Sequence, residues 1–242
     1  MITAYHRPTT LDEALTLLAK PNTLPLGGGT LLSKPTTDSV EAVDLQALGL
    51  DTVKKNGNNL ELGATLTLQS LLESEYCPDA LRSALKLEAP LNIRNSATVA
   101  GTLVSCDGRS TFVSALLAMD AKLSVISKKS SVIGVGEFLP LRPRGLITQI
   151  TIPLNIKLAF DYVARTPSDK PIVCVAVAGW GSGRKRLVVG GYGKSPMLAM
   201  DGASSDDVAV AARNAFHEAT DEWASADYRM DVAATLAKRC VV

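Results

Sequence analysis

The chain has 242 residues, of which 46% are hydrophobic, and it carries 25 basic and 24 acidic side chains. This length and composition predict one large globular domain or two smaller ones. The formal net charge of +1 gives no electrostatic reason to expect binding to nucleic acid. The first residues, MITAYHRPTT, lack the apolar segment of a secretion signal, and the longest apolar run, PIVCVAVAGW, is too short to span a membrane.

The cysteines and histidines disfavour a metal site. The four cysteines form no CxxC pair, and their spacing fits no zinc or iron–sulfur pattern. His6 and His217 are far apart in the sequence, which also disfavours a Ser–His–Asp triad. Scattered thiols without a secretion signal predict a cytoplasmic protein.

The first two thirds of the chain are predicted to mix helices and strands. Thr10 and Glu13 form a capping-box pattern before a helix that ends at Pro21. Strands are predicted at TLPL, VEAVDL, NNLELGATLT and LITQITIP, and KLSVI and SVIGVG are predicted to pair. Helices are predicted at LQSLLES, PDALRSALKLEA and TFVSALLAMDA, with Ser110 capping the last of these. The segment LNIRNSATVAGTLVS between the last two helices is predicted to be a loop.

The last third changes character. LAFDYVAR, IVCVAVAGWG and RKRLVVGGYG predict a three-stranded antiparallel sheet, with GSGR as a tight turn between the second and third strands. Two helices follow, DDVAVAARNAFHEAT and ADYRMDVAATLAKR, and Tyr228, Val232 and Leu236 mark one face of the second. Strands followed by helices predict a small α+β domain. We therefore predict an α+β protein with domains at residues 1–155 and 156–242.

Three consecutive glycines follow the TLPL strand. Gly27, Gly28 and Gly29 precede Thr30, and successive glycines can turn their N–H groups to one side to bind an anion. A strand, a glycine turn and a hydroxyl together favour a pyrophosphate, while a plain tight turn is the alternative interpretation.

A second segment of small residues, TVAGT, spans Thr98 to Thr102. It has a hydroxyl at each end, and together with the first segment it can enclose one diphosphate from opposite sides. The alternative is a buried turn whose threonines bond to their own backbone. The sequence contains no GxGxxG, and GYGKS lacks the first glycine of a Walker A loop, so neither pattern supports a nucleotide site.

These pieces, taken in order, resemble the FAD-binding subunits of molybdenum hydroxylases. That family includes the flavoprotein subunit of aerobic carbon monoxide dehydrogenase and the flavin part of xanthine dehydrogenase. The resemblance rests on YHRPTTLDEALTLLA, PLGGGTLL, VDLQAL, LELGATLT, IRNSATVAGTLVS, ALLAMDA, LITQITIP and SADYRMDVAATLAKR. It implies a two-lobed PCMH-type FAD-binding domain followed by the small C-terminal domain of these flavoproteins.

The resemblance also implies a set of FAD contacts and no catalytic side chain. Both glycine-containing segments would hold the FAD diphosphate, and a branched side chain at Gly28 is expected to fill the phosphate's space while leaving the fold intact. Neither glycine-containing segment has a histidine that could bond to the flavin, and Cys106 is the only nearby residue able to form a flavin thioether. We therefore expect noncovalent FAD. The implied cofactor-binding residues are Leu26, Gly27, Gly28, Gly29, Thr30, Leu31, Thr98, Ala100, Gly101, Thr102, Asp107, Thr111, Ile147 and Tyr162.

Four positions depart from the family pattern. Ala100 replaces a glycine, Thr102 replaces an amide or acid, Thr111 stands where aspartate is common, and Tyr162 stands where lysine is frequent. Loss of the lysine and the aspartate removes polar partners of the cofactor and implies weaker or lost FAD binding, whereas the methyl group that Ala100 adds costs little unless φ must be positive.

The resemblance implies an oxidoreductase subunit that transfers electrons. FAD would take electrons from the [2Fe–2S] clusters of a small partner subunit, and a large molybdopterin subunit would oxidise the substrate. A dimer of heterotrimers is the expected assembly. Two alternatives remain: a flavin-free scaffold that keeps the fold and the partner surface, and a stand-alone flavin reductase, which lacks a recognisable proton donor.

Overall fold

The structure is a computed structural model that describes residues 1–34, 37–127, 129–203 and 207–240. Within these ranges the chain forms three β-sheets with helices packed against them, which confirms the predicted α+β class. No helix in the described part of the chain is both long and apolar enough to cross a membrane.

The N-terminal sheet is parallel, and it leads into the glycines. Helix α1 (Leu11–Leu18) joins the first two strands along the chain and is capped by Thr10, whose hydroxyl accepts the N–H of Glu13. The glycine segment, residues 27–32, directly follows the carboxyl end of the second strand along the chain. This edge of a parallel sheet commonly binds ligands. In spatial order the strands are β1 (Ile2–His6), β3 (Val40–Asp44) and β2 (Thr23–Leu26).

The central sheet is antiparallel and contains the strands predicted between residues 59 and 153. The pairing of the KLSVI and SVIGVG strands is confirmed. In spatial order the strands are β4 (Val53–Asn56), β5 (Asn59–Gly63), β8 (Leu146–Pro153), β6 (Lys122–Ile126) and β7 (Ser130–Gly134).

Helices cover the central sheet. The loop predicted from Leu91 to Ser105 is wrong, because this segment contains two short helices. Thr98 caps the second of them by accepting the N–H of Gly101, and burial of Val99 and Leu103 holds it in place. The helices are α2 (Leu68–Glu73), α3 (Asp79–Glu88), α4 (Leu91–Arg94), α5 (Val99–Ser105), α6 (Thr111–Ala118) and α7 (Val135–Leu141).

The C-terminal sheet has four strands, so the predicted count of three is wrong. The additional strand is MLAMDG, a half-exposed edge strand whose residues do not favour β-structure in the sequence. Helices α8 (Val208–Asn214) and α9 (Ala226–Arg239) follow the sheet, and Asp206, where the first helix was predicted to begin, lies outside the described residues. In spatial order the strands are β12 (Met197–Gly202), β11 (Lys185–Gly190), β10 (Val173–Trp180) and β9 (Ile156–Val163).

The buried face of α9 differs from the predicted one. Leu236 is buried as expected, but Tyr228 is 45% exposed and Arg229 is fully buried. The Arg229 guanidinium is accommodated because it donates to Asp221 and to the carbonyls of Ala219 and Ala224. The pattern of apolar residues did not predict this buried face, because a charged residue, Arg229, occupies one of its core positions.

Helix α6 forms the centre of the molecule. All of its residues are buried, and it packs between α3 on one side and β10 and β11 on the other. Residues Ala176, Ala178 and Val188 of the C-terminal sheet belong to the same core cluster as α6. The predicted boundary at residue 155 falls between β8 and β9, and the division into two domains stays a prediction.

Candidate functional site

The glycine segment leaves its backbone N–H groups free. Gly29 has a φ of 73°, in the left-handed region, and the carbonyl of Gly29 accepts the N–H of Ser33. No residue that the structure describes accepts a hydrogen bond from the N–H groups of residues 27 to 32. A half-buried turn with unused donors and a left-handed glycine is suited to binding an anion.

The second segment offers fewer such donors. The N–H groups of Val99 and Ala100 donate to the carbonyls of Leu66 and Ala64. Those of Gly101 and Thr102 donate to the hydroxyl and carbonyl of Thr98. The segment is therefore the first turn of α5 with four of its five N–H groups already bonded, and its remaining contribution to a site is the Thr98 N–H, side-chain surface and the Thr102 hydroxyl.

Gly28 has a different role from the one expected. A Cβ atom built on Gly28 would lie 1.5 Å from the carbonyl oxygen of Ser96, and one on Gly27 would lie 2.7 Å from the hydroxyl of Thr98. These glycines let the first segment pack directly against the second. A side chain at Gly28 would therefore force the two segments apart, which contradicts the expectation that the fold would stay intact.

Two adjoining cavities lie on either side of Thr30 and Leu31. The small cavity, of about 230 Å³, is bounded by the glycine segment, Thr65, the first turn of α5 and Ile147. The large cavity, of about 730 Å³, is bounded by the ends of α3 and α5 and by the loop that contains Lys170. Since Thr30 and Leu31 line both, the glycine segment lies where the cavities meet.

The structure brings most of the predicted site residues to these cavities. Thr102 and Asp107 line the large cavity. Those that line the small cavity are Leu26, Gly27, Gly28, Gly29, Thr30, Leu31, Thr98, Ala100, Gly101 and Ile147.

Thr111 and Tyr162 line neither cavity. Thr111 is fully buried, and its hydroxyl donates to the carbonyl of Ala84 at 2.7 Å. Tyr162 lies on β9, where its ring stacks on Phe160 with centroids 6.1 Å apart. Neither side chain is placed to contact a ligand in the two cavities.

Thr65 and Glu88 are among the polar residues that line the cavities and that the sequence did not single out. The hydroxyl of Thr65 is buried at the small cavity without a hydrogen-bond partner among the described residues. Its position directly after β5 was the available sequence signal. Glu88 ends α3 at the large cavity, and no sequence signal marks it because its partners lie more than twenty residues later.

The large cavity carries charges of both signs. Lys34, Lys86 and Lys170 line it together with Glu88 and Asp107. The Lys170 ammonium lies 3.3 Å from both carboxylate oxygens of Asp107. Burial raises the pKa of the Glu88 carboxyl, although hydrogen bonds from Phe112 and Ser110 oppose this rise.

Cys106 also lines the large cavity. Burial raises the pKa of its thiol to about 11 despite the nearby guanidinium of Arg142. A thiol must ionise to act as a nucleophile, so Cys106 is a poor candidate for a covalent link at neutral pH.

Comparison with known proteins places this geometry in context. Residues 1–155 match the family described as FAD binding domain in molybdopterin dehydrogenase. The chain is 30% identical to the protein YgfM of Escherichia coli over 183 residues, which cover 74% of this chain and 70% of YgfM. It is 27% identical to the glyceraldehyde dehydrogenase medium chain of Sulfolobus acidocaldarius over 220 residues, which cover 82% of this chain and 78% of that one.

The fold is similar to that of a chain in a solved CO dehydrogenase structure. A chain of the reconstituted CO dehydrogenase from Oligotropha carboxidovorans superposes with a TM-score of 0.83 at 22% identity, covering 98% of this chain and 95% of the other. At this identity the likeness shows a shared fold. The match extends well beyond residue 155, so it includes the C-terminal sheet and helices.

Proposed function

This chain belongs to the family of FAD binding domains in molybdopterin dehydrogenase, and from that premise we propose that it is the FAD-binding electron-transfer subunit of a molybdenum-containing oxidoreductase. The observation that carries the proposal is the glycine segment, whose unused N–H groups lie between two adjoining cavities. FAD has the matching form, since a diphosphate joins its two ring systems.

The residues present fit FAD. The N–H groups of residues 27 to 32 would hold the diphosphate, and Thr30 would add its hydroxyl. The small cavity is mostly apolar and suits the two-ring adenine, with Ile147 and Ala100 in its wall. The large cavity is more polar and suits the three-ring isoalloxazine, with Thr102 and Asp107 in reach. In this arrangement the two cavities together would hold the dinucleotide, with the diphosphate where they meet.

The chemistry belongs to the cofactor. FAD, when bound, supplies an isoalloxazine ring that accepts and releases electrons, and the protein supplies position and polarity. The protein's own contribution is to hold the ring in a cavity that opens to solvent, where a carrier or partner can approach it. The high pKa of Cys106 supports noncovalent binding.

The names of the relatives support the proposed partners. One relative is called a medium chain, and the family description names molybdopterin dehydrogenase. We propose that a small subunit with [2Fe–2S] clusters delivers electrons to FAD and that a large subunit binds molybdopterin and oxidises the substrate. A dimer of heterotrimers is the proposed assembly, and residues 156–242 are its proposed second domain in this chain.

A flavin-free scaffold is the second candidate, and one observation favours it. Four of the five N–H groups of the second segment are already bonded, and Thr111 and Tyr162 lie away from both cavities, so the two cavities offer fewer polar contacts than the sequence implied. In this alternative the chain would keep its partner surface and bind no cofactor.

The flavin content of the purified protein separates the two candidates. We expect a yellow protein with close to one FAD per chain, and we expect acid precipitation to leave the flavin in the supernatant because no covalent bond holds it. A colourless protein that does not bind added FAD would reject the electron-transfer proposal and favour the scaffold.

A further inference from the structure

Glu88 is fixed at the wall of the large cavity by the start of α6. Its Oε2 accepts the hydroxyl of Ser110 at 2.8 Å and the N–H of Phe112 at 2.9 Å. Together with the hydroxyl of Thr111, which donates to the same oxygen at 3.3 Å, these donors hold one carboxylate oxygen against the first turn of the helix, where the helix dipole also favours a negative charge. The carboxylate therefore has a set orientation.

The other oxygen of Glu88 has no partner. No residue that the structure describes donates a hydrogen bond to Oε1, and no described lysine or arginine forms an ion pair with Glu88. Lys170, which also lines the cavity, is paired with Asp107 instead. Burial raises the pKa of Glu88.

An acceptor held in this way suits a ligand that brings a donor. Glu88 is partly buried at the large cavity, and with no donor to Oε1 among the described residues this oxygen is available to a donor on a ligand in the cavity. Thr111, which the sequence suggested for the same region, directs its hydroxyl to Ala84 and faces neither cavity. Glu88 is thus the polar group that α3 and α6 jointly present to the large cavity.

We propose that Glu88 contacts the flavin half of FAD, with Oε1 accepting a hydrogen bond from an N–H or O–H donor of the isoalloxazine ring or its ribityl chain. This inference rests on the proposed function, and it adds a cofactor-binding residue that the sequence did not indicate. The contact is made by an oxygen that the protein itself leaves unused.

The test uses Glu88→Gln and two ligands. Glutamine keeps an oxygen for Phe112 and turns an amide NH₂ toward the cavity, so an acceptor becomes a donor there. We expect FAD to bind about 10- to 100-fold more weakly, the range for one hydrogen bond to a charged group. ADP, which lacks the flavin half, should bind the variant and the wild type equally, and FMN, which has only that half, should weaken as FAD does.

A matched control separates contact from helix capping. Glu137 accepts the N–H of Gly134 at the start of α7 and lines neither cavity. Glu137→Gln should leave all three affinities unchanged. Equal FAD binding by Glu88→Gln and wild type, or equal weakening of FAD and ADP, would overturn the inference. Failure of the wild type to bind FAD would reject the proposed function instead.

Discussion

Thr65 is buried at the small cavity with a hydroxyl whose hydrogen-bonding capacity is not used by the described residues. The residue is only 6% exposed, and its hydroxyl has no hydrogen-bond partner among the described residues. A buried hydroxyl that makes no hydrogen bond loses its hydration without compensation. Removal of this hydroxyl should therefore stabilise the ligand-free protein.

The first prediction is that Thr65→Val raises the melting temperature of the ligand-free protein. Valine has a similar shape and no polar atom, and the gain should be about 1 kcal/mol, at the low end of the cost of an unsatisfied group. Thr67→Val is the matched control, because the Thr67 hydroxyl caps α2 by accepting the N–H of Ser70. That variant should lose about 1 kcal/mol. A Thr65→Val protein that melts below wild type in thermal denaturation would contradict the prediction.

At this scale the sequence predicted the residues of the site better than their roles. Three adjacent glycines indicated a bare backbone, and the structure has one with free N–H groups. The reason for Gly28, however, is its contact with Ser96, which lies 68 residues along the chain and leaves no local signal. Glu88 is invisible in the sequence for the same reason.

The helices that the sequence predicted correctly depend on local signals, and those that it predicted wrongly depend on contacts with distant residues. Helices α1, α2 and α6 begin at threonine or serine caps that the sequence predicts directly. Helix α5 was predicted as a loop because its glycine, threonine, serine and valine residues have low helix propensity and its stability comes from burial. Helix α9 was predicted with the wrong face because Arg229, a charged residue, occupies the core.

Arg229 makes the stability of α9 depend on Asp221. Burial raises the pKa of the Asp221 carboxyl, but hydrogen bonds from Arg229 and from the N–H groups of Trp223 and Ala224 outweigh it, and the pKa lies below its ordinary value. A carboxyl with a lowered folded-state pKa stabilises the protein above its unfolded-state pKa. That contribution is lost as the pH falls through the folded-state value.

The second prediction is that Asp221→Asn destabilises the protein by about 2 kcal/mol at neutral pH, the range for a hydrogen bond to a charged group. The gap in melting temperature between wild type and Asp221→Asn should shrink as the pH falls below about 4, the ordinary pKa of an aspartate, because the unfolded chain then takes up a proton more readily than the folded protein. Asp231→Asn is the control, since Asp231 pairs with Arg213 at the surface and should contribute less than about 1 kcal/mol. A gap that stays constant from neutral to acid pH would contradict this account.

At the scale of the whole molecule, the two adjoining cavities are built from distant parts of the chain. The small cavity joins the N-terminal sheet to α5 and the start of β8, and the large cavity adds Pro167, Ser168 and Lys170 from the loop after β9. The sequence indicated the order of the elements and the change of character near residue 155. It did not indicate that α6 lies buried against β10 and β11, because that contact depends on how the sheets pack.

The central claim is that the glycine segment binds the diphosphate of FAD, and Gly29 offers the most direct test. An alanine Cβ at this position would make only ordinary contacts, the nearest at 3.5 Å from Leu26, but the φ of 73° strains any side chain there. Gly29→Ala should therefore keep the fold and shift the backbone that presents the N–H groups. Gly57→Ala is the matched control, since Gly57 has a φ of 57°, no atom within 4 Å of its Cβ position, and lies in the turn between β4 and β5.

The measurement is an equilibrium titration of the three ligand-free proteins with FAD, followed by flavin fluorescence, with melting temperatures recorded in parallel. Both variants should lose a similar stability, about 1 kcal/mol, from backbone strain. The account predicts one FAD per wild-type chain, unchanged affinity in Gly57→Ala, and at least about tenfold weaker binding in Gly29→Ala, the loss of one or more amide contacts. Equal FAD affinity in all three proteins, or no FAD binding by the wild type, would contradict it.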